Sequence, residues 1–161
     1  MFVKKRKLFA TSVIAALACG SIFGVQTAAH ANPHYHYIKD KRVVSSSYTN
    51  YSNELASCRA LSNNVTCTAA VSRGATRTIG VDLGMSRSLV AAGLNISAGH
   101  SVSFNTSCTS PPLRAGQTFR AYPRGVRYSY KVVRVVITQV TTSGTLYAFN
   151  PSANQISCGV R

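Results

Sequence analysis

From residue 54 onward, apolar and polar positions alternate with a period of two, the pattern of strands that turn one face inward. Val65, Cys67, Ala69 and Val71 alternate with Thr66, Thr68 and Ala70; Ile79, Val81 and Leu83 with Gly80 and Asp82; Val102 and Phe104 with Ser101, Ser103 and Asn105. Between 85 and 96 the period changes. Leu89, Ala92, Gly93 and Ile96 fall at helical spacing behind Ser86 and Ser88, either of which can cap, so one short core-facing helix is predicted over 86–96. The longest strand signal places Tyr128, Tyr130 and Val132 on one parity, then Val133, Val135 and Ile137 on the other. That switch at 132–133 predicts a β-bulge or a change of sheet. Pro123-Arg124-Gly125 reads as a bend, Ser143-Gly144 as a hairpin turn before a strand at 146–149, and Ile156, Cys158 and Val160 as one face of a last strand. Residues 32–53 hold no sustained period and predict a polar segment that is mobile or pairs only in part. The fold expected for 54–161 is mainly β: a single antiparallel sandwich or open barrel with that one helix.

The first 31 residues read differently. Lys4, Lys5, Arg6 and Lys7 precede an apolar stretch from Leu8 to Val25, and Ala29-His30-Ala31 offers small residues where a signal peptidase reads, so 1–31 is expected to be a cleaved secretory signal. No later apolar run is long enough to span a membrane, and the released product is expected outside the cell. Cleavage takes Cys19 and leaves four cysteines, Cys58, Cys67, Cys108 and Cys158, an even number that predicts two disulfides in an exported chain. Three connectivities are open. Cys58–Cys67 with Cys108–Cys158 is preferred, because the first closes a short local loop and the second staples the last strand to the middle of the domain.

Charge sharpens the picture. Of the 18 Lys and Arg, four lie in the leader, which leaves 14 against Asp40, Glu54 and Asp82; beyond Asp82 there is no acid at all. Most of the cations are arginines, whose planar forks suit phosphate or carboxylate oxygens. The densest group is Arg114, Arg120, Arg124, Arg127, Lys131 and Arg134, interleaved with Tyr122, Tyr128 and Tyr130. A hairpin at Pro123–Gly125 would set these side by side as one cationic, aromatic-edged face. Such a face suits anionic bacterial envelope material, whether teichoic-acid phosphate or lipid headgroups, and takes nucleic acid only non-specifically.

Other chemistry is thin. The scarcity of carboxylates removes most acid–base and metal machinery, and no nucleophile motif surrounds His100 or Asp82, so a non-enzyme without cofactor is expected. His34 lies third from the new amino terminus, but Pro33 lacks the N–H that an amino-terminal copper chelate must lose, and no metal site is expected. Cys108-Thr-Ser-Pro-Pro-Leu-Arg114 gives an alternative: a Pro-stiffened loop that would offer Arg114 to a serine protease. A wall-binding protein without toxicity is a third reading.

The stretch from Thr78 to Arg134, with TIGVDLGMSRSLVAAGLNISAGHSVSFN followed by LRAGQTFRAYPRGVRYSYKVVR, resembles small exported cationic proteins of Gram-positive actinobacteria, bacteriocin-like ones among them. The likeness covers about a third of the chain and rests on texture: a Gly/Ser/Val-rich strand, a small-residue helix and a returning aromatic-basic strand. It implies a secreted antibacterial protein acting on related bacteria, and it assigns no residue a role.

Overall fold

The computed structural model describes residues 34–161; the leader and its cleavage site lie outside the described residues. In chain order the elements are β1 (His34–Thr49), β2 (Ala56–Arg59), β3 (Thr68–Val71), β4 (Gly74–Thr76), β5 (Thr78–Ile79), α1 (Arg87–Leu94), β6 (Ser101–Ser103), β7 (Thr106–Thr109), β8 (Thr118–Val136), β9 (Gln139–Thr142) and β10 (Leu146–Val160). The protein is mainly β, every strand pair is antiparallel, and α1 is the one helix among the described residues. Small two-strand sheets, β3 with β7 and β4 with β6, accompany the main sheet, whose path runs β1-β8-β10-β5.

The spine is β8. One of its edges carries β1, from His34 opposite Val136 to Thr49 opposite Arg124, and then β2 opposite residues 118–121. The other edge carries β10 opposite Phe119 to Tyr130 and β9 opposite Val133 to Val136. This corrects the bend expected at Pro123-Arg124-Gly125, because the strand runs straight through it. Gly125 is there for a different reason: a Cβ on it would overlap the backbone of Asn150 and Pro151, so only glycine lets β10 lie this close.

Side chains that alternate along β8 feed two separate cores. Phe119 and Ala121 join Leu55, Ala60, Cys67, Ala69, Val71, Ala75, Phe104 and Leu113. Tyr130 and Val132 join Ile79, Met85, Val90, Ala91, Leu94 and Ala148. These residue pairs have opposite parity, so the two cores lie on opposite faces of the strand. The first core is stapled by Cys58–Cys67 and Cys108–Cys158, the preferred connectivity. The second is roofed by α1, capped as expected by Ser86, whose hydroxyl accepts from the Leu89 N–H. The inward face of α1 is Val90, Ala91 and Leu94; Leu89, placed inward by the sequence pattern, is exposed.

Two further expectations bear on the strand pairing. At 132–133 β8 stays in register with β1, but on the other edge Tyr130 pairs with Leu146 and Val133 with Thr142, so three steps of β8 face four and a one-residue, bulge-like offset lies where expected, without a change of sheet. Val132 and Val133 are both buried, and the neighbour on one edge changes from β10 to β9 between them. The polar lead is not loose: His34 to Thr49 pairs along β8 with irregularities only after Lys39, Val43 and Ser45. Ile38 anchors it against the helix, where a Cβ on Gly93 would meet its Cδ1 at 2.7 Å, and Lys41 Nζ donates to the Leu94 carbonyl at 2.8 Å. Half of β1 thus alternates toward a core, a period hidden by its polar outward residues.

Candidate functional site: an open cationic and aromatic sheet face

Residues paired directly across an antiparallel ladder point to the same side. On the side of the main sheet away from α1, β8 presents Arg127, Ser129, Lys131, Val133 and Val135. Their register partners are Ser45, Arg42, Lys39, Tyr37 and Tyr35 on β1, Phe149 and Tyr147 on β10, and Thr142 and Val140 on β9. Among the described residues, no helix covers this side. Tyr35 is 60% exposed, Tyr147 48% and Val140 64%, so these parts of the face meet solvent, while Ser129, Val133 and Phe149 lie buried beneath their neighbours. Tyr35 and Tyr37 stack with centroids 6.2 Å apart and planes 24° apart.

Arg127 is the centre of this face. Its Cζ lies 4.7 Å from the Tyr48 ring centroid and 4.6 Å from that of Tyr147. Tyr48 is braced in turn by an edge contact with Phe149 at 5.7 Å. Each ring contributes about 0.5–1 kcal/mol to holding the guanidinium. Stacking uses the faces of the guanidinium and leaves its N–H edge for oxygen acceptors, in the planar fork that matches phosphate or carboxylate. Lys39 and Lys131 sit opposite each other, a like-charge pair that is unfavourable unless something intervenes. Asp40 intervenes: its Oδ2 lies 3.1 Å from Lys131 Nζ, carried there by an irregular turn of β1 in which Asp40 has φ 56°. Both side chains are more than a third exposed, so the pair is weak and open to competition. Beside it, Arg42, Val43, Val44, Ser129, Thr145 and Tyr147 line a shallow depression.

The structure brings together only part of the basic group read from the sequence. Arg127 and Lys131 belong to this face. Arg120 and Arg124 have the opposite parity and project from the other side of β8. Arg120 is occupied by Glu54, with Nη1 2.5 Å from Oε2, and Arg124 contacts the Ser47 hydroxyl. A Ser57 hydrogen bond, with help from Arg120, holds the Glu54 carboxyl below its usual range. Arg134 is exposed on the helix side, opposite His36. Arg114 lies in the loop after Leu113, far along the stapled end.

The three tyrosines assigned to the binding face are also corrected. Tyr130 is buried in the second core and its hydroxyl donates to the Gly80 carbonyl at 2.6 Å; burial pushes its pKa up to about 12. Tyr122 is buried and packs edge-on against Tyr51 at 5.2 Å, with Arg161 stacked 3.7 Å from the Tyr51 ring. Tyr128 is half-buried against the second core. The aromatic members of the open face are instead Tyr35, Tyr37, Tyr48 and Tyr147, joined by the cations Lys39 and Arg42. Sequence reasoning missed them because they sit in segments read as loose or as a short hairpin arm. The i, i+2 spacing of Tyr35, Tyr37 and Lys39 was the available signal.

The loop that carries Arg114 is tied to the segment 65–67. Ser110 N donates to the Cys67 carbonyl at 2.8 Å, its Oγ accepts from Cys67 N at 2.9 Å, and Leu113 N donates to the Val65 carbonyl at 2.8 Å. Ser110 and Leu113 are buried and anchor the segment, while Pro111, Pro112 and Arg114 are exposed. Among the described residues, no three His, Cys, Asp or Glu side chains gather where they could hold a metal ion, and no helix is long and apolar enough to cross a membrane.

The molecule is thus defined as a disulfide-stapled antiparallel β protein with one open, cationic and aromatic sheet face. No family model matches the chain, and neither a curated protein nor a solved structure is similar to it.

Proposed function

We propose that this protein is a secreted cationic antibacterial agent that captures phosphate-rich polyanions of the bacterial envelope on the open face of β1, β8 and β10. The observation that carries this reading is the Arg127 guanidinium, clamped between Tyr48 and Tyr147 and flanked by Lys39, Arg42 and Lys131. A clamped arginine loses little freedom on binding an oxyanion, so more of its contact energy appears as affinity. The neighbouring tyrosines supply amphipathic surface for the apolar parts of a wall or membrane polymer. Two disulfides suit the oxidising space outside a cell, and the nearly acid-free composition leaves these cations few acidic partners, the exposed Asp40 beside Lys131 being the one among the described residues.

The test compares wild type with a Lys39→Ser, Arg42→Ser, Arg127→Ser, Lys131→Ser variant in binding to purified wall teichoic acid. The expected result is a loss of at least about tenfold at low salt, shrinking toward 1 M salt as the Debye length falls to about 3 Å. A control variant, Arg114→Ser with Arg134→Ser, should lose much less. Equal binding by wild type and the fourfold variant removes the reading. A growth-inhibition assay on related Gram-positive strains, run in parallel, separates killing from simple attachment.

A further inference from the structure

At the end of the open face, β8 turns into β9 through Ile137 and Thr138 alone, with Val136 opposite Gln139. Ile137 has φ 52°, the left-handed region that Asn or Gly fills in such two-residue turns and that a β-branched residue adopts only under strain. Among the described residues nothing covers it, since Ile137 is 64% exposed. The next row on this side is Tyr35, Val135 and Val140, followed by Tyr37 and Thr142 with the buried Val133 between them. The tip therefore displays Ile137, Val140 and two tyrosines, and the first carboxylate along β1 is Asp40, five residues from Tyr35 or roughly 16 Å at strand spacing. Behind this apolar patch stand Lys39, Lys131, Arg42 and Arg127.

We propose that this hairpin tip seats in an anionic lipid bilayer and leads the cationic face down onto the headgroups. The inference rests on the polyanion reading above and adds a lipid surface as its occupant. Charge complementarity and the order of groups argue for lipid. Aliphatic tip, then tyrosines, then cations is the order in which a bilayer offers acyl boundary, interface and phosphate. A soluble phosphate polymer would satisfy the cations and leave the strained, exposed isoleucine without use.

The chain contains no tryptophan, so one introduced indole reports alone. Ile137→Trp and Val140→Trp are compared with Leu61→Trp, a 92% exposed position in the disulfide-stapled half. The probe is a vesicle of phosphatidylcholine and phosphatidylglycerol at 3:1, with inorganic polyphosphate as a soluble polyanion. The expected result is a blue shift of emission on vesicles for the two tip reporters and none for Leu61→Trp. In addition, Ile137→Ser with Val140→Ser should lower vesicle partitioning by about tenfold or more while polyphosphate affinity stays within about twofold. If polyphosphate binds and the tip reporters behave like Leu61→Trp, the membrane-seating proposal falls and the polyanion reading stands. If neither polyphosphate nor vesicles bind, both fall. Equal blue shifts at all three positions would also overturn the proposal, because the tip would then have no leading role.

Discussion

The two halves of β8 carry similar numbers of aromatic and basic side chains and use them in opposite ways. In the half opposite β2, Arg120 is tied to Glu54, Arg161 lies on Tyr51, Tyr122 is buried, and both disulfides brace the core. In the half opposite β1, α1 roofs one side only, and the other side keeps Arg127 between rings and Lys131 in a loose pair. The contrast teaches that net charge alone does not locate a binding surface. What matters is whether each cation already has a partner and whether a second layer covers its side of the sheet.

The sharpest way to break this division is to attack the stapled half. Replacing Cys108 and Cys158 by Ser releases a 50-residue separation and should cost about 4 kcal/mol of stability, against about 3 kcal/mol for Cys58 and Cys67, which are 9 apart; urea unfolding measures both. If either variant, while still folded, also loses polyphosphate affinity, the separation of bracing from binding fails. Next comes the junction. Gly125→Ala pushes a methyl into the backbone of Asn150 and Pro151 and should cost about 3 kcal/mol or more, read by thermal melting. A mild effect would mean that β10 can stand off from β8, and the two cores would not be fixed to opposite faces.

Tyr130→Phe probes the roofed side of the open half. Loss of the hydrogen bond to Gly80 should cost about 1 kcal/mol at neutral pH. The pH dependence adds a signature. The folded pKa of about 12 lies above the usual 10, so the neutral phenol stabilises the fold fully below pH 10, and that contribution is lost as pH rises from 10 toward 12. The phenylalanine variant should lack this component of the decline in melting temperature. Ile137→Asn works with the opposite sign: relieving the left-handed strain should stabilise by about 1 kcal/mol in a thermal melt, even though an apolar group is removed. Smallest in stability is Tyr147→Ala, which should cost less than about 1 kcal/mol because the ring is half exposed, yet lower polyphosphate affinity several-fold by freeing Arg127. A Tyr147→Ala variant that unfolds easily but binds normally would reverse the roles given to the two halves.

Much of the stapled half was legible from residue order. The spacing of Cys58 and Cys67 favours a local loop, which made their pairing, with Cys108–Cys158, the preferred one of three open connectivities, and it is the one formed. Ser86 announced the helix because capping is a local interaction. The open half was harder. Tyr122 and Tyr128 look equivalent to Tyr147 in a polar-aromatic run, but whether a tyrosine is buried depends on which distant strand crosses it. The phase change at 132–133 coincides with a one-residue offset where β10 gives way to β9, so its local mark was legible while the exchange of neighbours behind it was not. The bend read at Pro123–Gly125 failed for a similar reason, since the glycine answers a close approach by residues 150 and 151 rather than a turn in its own strand.

Strand β1 ends the main sheet, and sixteen residues of unpaired outer edge would ordinarily invite another chain to add itself. The irregularity at Asp40 and the neighbouring Lys39, Lys41 and Arg42 spoil that template, because an incoming copy would bring the same charges into line at a broken register. Edge-to-edge pairing of copies into fibrils is thereby disfavoured, even with tyrosine and valine exposed alongside.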